Sequence, residues 1–204
     1  MNQNIKDAHS DALKDVPLRE EPRIAPVPAP EHSFDMSQMS FEEVRKVILK
    51  GRSKSAPGQS GITYALYKRC PALAKRLWKL LRVVWHTKKV QTSWLCADGC
   101  FVPKEENASK LDSFREISLL SVEGKIFWAV ISKRLTSYLL QNKYVDTAVQ
   151  KGGISGYSGC IEHTSAITTL IQEAKRGKKD LAVAWLDLAK AYPSIPHTLI
   201  YMAL

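Results

Sequence analysis

Long hydrophobic runs are missing from this 204-residue sequence. No stretch of about 18 apolar residues occurs, so a membrane-spanning helix is not expected. The opening MNQNIKDAHSDALKD is polar and lacks the apolar core of a secretory leader. Cysteine is scarce, and Cys70, Cys96, Cys100 and Cys160 show no disulfide framework. Three residues separate Cys96 from Cys100, and no second Cys or His pair follows at zinc-finger spacing. Reduced thiols in an intracellular protein, nuclear or cytoplasmic, are the expectation. No internal repeat is present. Acidic residues are few and unevenly placed, and none follows Asp187.

That imbalance leads to what is there. Residues 1–38 hold seven acids against four bases, a net of −3, out of 20 and 30 in the chain. Residues 39–204 therefore hold 13 acids against 26 bases, a net of +13, which sums to the overall +10. Such a basic segment suits a polyanion, because each neutralised phosphate releases counterions; a merely soluble basic surface is the alternative. Residues 17–30, PLREEPRIAPVPAP, carry five prolines and read as an extended linker, so 1–38 is expected to be a poorly ordered Pro-rich lead.

Order is expected from Ser40. In SFEEVRKVILKG, Ser40 and Glu43 match a capping box, Phe41, Val44 and Ile48 line one face, and Gly51 supplies the stop. A Gly/Ser/Pro loop, GRSKSAPGQSGI, follows. Pro71 suits the first turn of a helix to about Lys88, with Leu73, Leu77, Leu80, Leu81 and Val84 as its apolar stripe. Lys75, Lys79, Arg82 and His86 share another face, either solvated or lying along a phosphate backbone. WLCADGCFVPKEE reads as a strand ending at Pro103-Lys104. Residues 113–142 begin extended and become a helix with Ile126, Val130, Ile131, Leu135 and Leu139 inward. A glycine-rich turn (150–160) leads to a helix from about Glu162 to Arg176, stopped by Gly177, with Ile167, Leu170, Ile171 and Ala174 as its buried stripe. LAVAWLD (181–187) reads as a buried strand.

Asp187 ends that apolar run. A carboxylate there must face water, a base or a metal, unless it caps the following helix. WLDLAKAYPSIPH resembles the first palm motif of reverse transcriptases: apolar strand, aspartate, then a small-aromatic pair, here Ala191-Tyr192. Four further blocks are similar in order to non-LTR retrotransposon reverse transcriptases of the site-specific type. They are KSAPGQSGI (54–62), FVPKEENASKLDSFREISLL (101–120), GKIFWAVISKRL (124–135) and QKGGISGYSGCIEHT (150–164).

The resemblance covers about residues 40–204. It implies an α+β chain, a truncated right-hand polymerase with mostly helical fingers (about 39–180) and the start of a palm sheet (about 181–204). It implies RNA template, DNA primer and dNTP as partners, and Mg²⁺ as cofactor. Asp187 would hold metal, with the Leu188 carbonyl as a possible second oxygen. Lys104 and Arg115 would pair the triphosphate, and Tyr192 would exclude a 2′-hydroxyl. Gln150 and Gly152 would shape a turn beside the template. The sequence departs from the family pattern at Gln59-Ser60, usually Pro-Asp, at Glu116, usually proline, and at Pro193. Two metals need more carboxylates than Asp187 alone, so the chain by itself is expected not to turn over. A non-catalytic basic nucleic-acid-binding module, or a retroelement relic, is the other reading.

Overall fold

A computed structural model describes residues 27–110, 113–154, 159–187 and 195–203. Two compact units divide the chain: Pro30–Ser155, and Met1–Ala29 with Gly156–Leu204. The architecture is α+β, helices with one small antiparallel sheet.

The first unit begins with α1, Phe41–Lys50. The Ser40 side chain accepts from the Glu43 amide at 3.2 Å, and the Glu43 carboxylate accepts from the Ser40 amide at 2.8 Å. Two amides that a helix leaves orphaned are thereby satisfied. Val44, Val47 and Ile48 are buried at helical spacing. Gly51 ends the helix with an ordinary backbone (φ −61°), so a left-handed turn is not what requires glycine. A Cβ there would lie 2.3–2.6 Å from the buried Tyr64 ring. The short helix α2, Tyr64–Arg69, was not evident from the sequence.

The third helix, α3, runs from Pro71 to Thr87 and buries Ala74, Leu77, Leu81 and Val84. Leu80, assigned to the same stripe, is exposed: it falls one position off the 74-77-81-84 register. After a 3-10 turn at Thr92–Trp94, strands β1 (Ala97–Pro103) and β2 (Phe114–Leu120) pair antiparallel, with Val102 opposite Arg115. Then α4, Val122–Gln141, lays Val122, Ile126, Phe127 and Val130 against α1 and the buried Trp94. One hydrophobic core joins α1, α2, α3, Trp94 and α4.

Residues 32–38, part of the lead expected to be loose, and Met39 just after them are tied to this core. Trp78 Nε1 donates to the Met39 carbonyl at 2.8 Å, and Met39 is 1% exposed. Arg82 donates through Nε and Nη2 to Gln38 Oε1, Nε at 2.7 Å. The His32 amide donates to Asn142 Oδ1, and Asn142 Nδ2 donates to the His32 carbonyl. Residues 1–26 lie outside the described residues.

The second unit contains α5, Gly159–Gly177, and α6, His197–Ala203. Its expected buried stripe is only half-covered: Ile167, Ile171 and Ala174 are half-buried and Leu170 is exposed. Residues 181–187 correct a second expectation, for they form no strand and are exposed, Leu186 at 97%. A strand exists through its ladder, and among the described residues β1 and β2 pair only with each other.

Candidate nucleic-acid interface

Basic charge concentrates on the helical half of the first unit. Residues 41–89 hold 13 Lys and Arg against two acids, Glu42 and Glu43, a net of +11. Helices α1, α2 and α3 spend their apolar faces on the core, and most of these long cationic side chains are exposed; Lys68 is half-buried and donates to the Gly51 carbonyl. Lys75, Lys79 and His86 of the anticipated basic face are exposed. Arg82 is not, being half-buried over the Trp78 ring, 5.1 Å from its centroid, and bound to Gln38. That face therefore presents three cationic or titratable groups rather than four.

Lys104 and Arg115 come to the same end of the β-hairpin. The Lys104 amide donates to the Ser113 carbonyl at 2.8 Å, just beyond the Pro103–Phe114 pair, and both bases are exposed. Strand alternation gives Arg115 the face of Val102 and Ile117, and sends Glu116 to the opposite face with Phe101. The acid that departs from the family pattern thus does not share Arg115's side of the sheet.

Gln150 and Gly152 form a local turn. Gln150 Nε2 donates to the Gly152 carbonyl at 2.7 Å, and Gly153 takes the left-handed conformation (φ 79°). In the second unit, Asp187 is exposed at the end of the irregular segment 181–187. Leu188 and Tyr192 lie outside the described residues. Among the described residues no three His, Cys, Asp or Glu side chains cluster as metal ligands.

Two buried charges escaped the sequence reading. Arg134 on α4 is 7% exposed and donates to both Glu43 oxygens at 2.8 and 2.9 Å, and to the Asp35 and Ser37 carbonyls. These hydrogen bonds from Arg134, opposed by desolvation, hold the Glu43 carboxyl down at about 2. The signal was present: Arg134 stands four residues after Val130 and eight after Ile126, on the buried stripe. Glu123, 8% exposed, accepts from Tyr67 Oη at 2.8 Å and Ser60 Oγ at 3.0 Å. Burial, with Glu123's hydrogen bond and charge, pushes the Tyr67 phenol up. Gly58 fixes the loop that brings Ser60 there. A Cβ on it would meet the Leu120–Ser121 backbone at 2.3–2.5 Å.

No protein-family model matches the chain. It is 25% identical over 166 residues to the Retrovirus-related Pol polyprotein from type-1 retrotransposable element R2 of Nasonia vitripennis, covering 81% of this chain. The like-named protein of Bradysia coprophila is 26% identical over 87% of it. The RNA-directed DNA polymerase from mobile element jockey of Drosophila melanogaster is 28% identical over 84%. The chain thus resembles proteins of non-LTR retrotransposons, R2 Pol polyproteins and the jockey RNA-directed DNA polymerase. It spans 15–19% of the length of these three relatives.

Proposed function

We propose that this chain is the fingers portion and first palm segment of an RNA-directed DNA polymerase, and that it grips an RNA template and DNA primer through the basic helices α1–α3. What carries the reading is similarity over four-fifths of the chain to Pol polyproteins of R2 retrotransposable elements and to a protein named as an RNA-directed DNA polymerase. The right-hand polymerase fold and the roles of Lys104, Arg115, Gln150, Gly152, Asp187, Leu188 and Tyr192 belong to the same proposal. In it, Lys104 and Arg115 meet the triphosphate of an incoming dNTP from the hairpin end, where two exposed cations can neutralise phosphate. Asp187 contributes one carboxylate toward Mg²⁺, which when bound supplies Lewis-acid stabilisation of phosphoryl transfer.

With one carboxylate in hand, the chain alone binds without extending. The test is a labelled DNA primer on an RNA template, with Mg²⁺ and all four dNTPs. Retardation of the duplex without primer lengthening is expected. Lengthening that disappears in Asp187→Asn overturns the inactivity, and absence of any retardation at low salt overturns the grip. The second reading, a non-catalytic basic binding module, draws on the net +11 of residues 41–89. It predicts equal retardation of nucleic acids of any kind, whereas the polymerase reading predicts preference for the primer–template hybrid.

A further inference from the structure

One pocket of the Pro30–Ser155 unit has no part in the account so far. It encloses about 250 Å³ between the 51–63 loop, α3, the 3-10 turn and the start of α4. That volume exceeds what a water molecule needs and lies just below a drug-sized site, about 300 Å³ and upward. Gln59, Gln91, Ser121 and Glu123 line it together with Trp94.

Two observations make the pocket a candidate ligand site. Ser121 is 3% exposed and lines the pocket, yet its Oγ has no hydrogen-bond partner among the described residues. It stands at the N-cap of α4, where serine ordinarily spends its hydroxyl on a helix amide, and it makes no such bond. A buried hydroxyl left unmatched is costly, so its retention needs a reason. Glu123 is the second. Tyr67 and Ser60 each donate to one of its oxygens, which fixes the carboxylate and leaves further lone pairs on both.

A fixed carboxylate repels phosphate and fits a pair of parallel N–H donors. Among nucleobases only guanine offers that pair on its pairing edge, N1–H beside the N2 amine. Its neighbouring O6 accepts, and so matches the Ser121 hydroxyl or a glutamine amide. Adenine, cytosine and uracil each set an acceptor beside the donor. A guanidinium has the parallel donors but no acceptor for the hydroxyl and amides. Trp94, itself part of the core, gives the pocket an apolar wall. Exposed Lys79 and Lys89 flank the lining residues in sequence, supplying cations for the backbone of the same strand.

We infer that this pocket receives one unpaired guanine base of a bound nucleic-acid strand. The inference rests on the nucleic-acid reading above and adds a base preference to it. The full chain is titrated with guanosine, inosine, adenosine, cytidine, uridine and arginine amide, following the Trp94 indole resonance. Guanosine should saturate the signal, and inosine, which lacks the N2 amine, should bind roughly tenfold more weakly. Ser121→Ala should leave the thermal midpoint in place and weaken guanosine roughly three- to tenfold. Glu123→Gln, if folded by circular dichroism, should abolish the preference of guanosine over inosine. Equal binding of all the nucleosides overturns the inference, as does preference for arginine amide. So does a chain that still retards RNA but leaves guanosine unbound. Guanosine binding without any retardation of RNA would leave the pocket standing and remove the reading beneath it.

Discussion

At the scale of single residues, Arg134 is the group on which the lead segment and α1 depend. Removing the buried Arg134 strands a half-buried Glu43 carboxylate, so Arg134→Ala should lose about 1–3 kcal/mol in a urea melt. The Glu43 side shows in pH. Its carboxyl is held near 2 in the folded chain against an ordinary 4.5. The contribution is therefore complete above pH 4.5 and is lost as pH falls toward 2. Glu43→Gln should flatten that limb of a stability–pH curve while leaving the limb above pH 7 unchanged in slope. Glycine supplies a sharper contrast. Gly58→Ala drives a methyl into backbone and should cost about 1–3 kcal/mol. Gly61→Ala has open space and meets only the strain of a positive φ (68°), about 1–2 kcal/mol. None of the Arg134, Glu123 and Gly58 contacts was legible beforehand, because each joins residues more than 50 apart in sequence. Arg134's place in an apolar register was the one local hint.

Among the secondary-structure elements, helices were legible and the second-unit strand was not. The capping box at Ser40 and Glu43, and Pro71 at the start of α3, are local chemistry, so α1 and α3 could be placed within a residue. LAVAWLD has strand composition, but a ladder needs a neighbour, and composition does not supply one. The expected stop of α5 at Gly177 is where that helix ends, but the left-handed backbone after α3, α4 and α5 falls on Lys88, Lys143 and Lys178 rather than on glycine. A cation beside a helix C-terminus complements its carbonyls, yet a side chain at positive φ is strained. Lys88→Gly should therefore raise stability by about 0.5–1 kcal/mol in a thermal melt. A fall in midpoint would show that Lys88's charge outweighs its strain.

Across the whole molecule the two units differ in how they are held. Every buried side chain described lies within residues 39–134, and none lies in 159–187 or 195–203. Amide exchange should follow that division: slow through α1, α3 and α4, fast through 181–187. Uniform protection across 181–187 would mean that the segment is paired in solution. The charge division gives the most direct test of the central claim, that the basic helical unit holds a primer–template by its phosphates. The affinity for an RNA–DNA hybrid is measured from about 50 to 200 mM monovalent salt. The account predicts a linear fall of log affinity with log salt, about a thousandfold if six phosphates are neutralised, and a shallower slope when Lys75 and Lys79 are both changed to Gln. Affinity that stays level across that range, or a slope untouched by the double substitution, would contradict it.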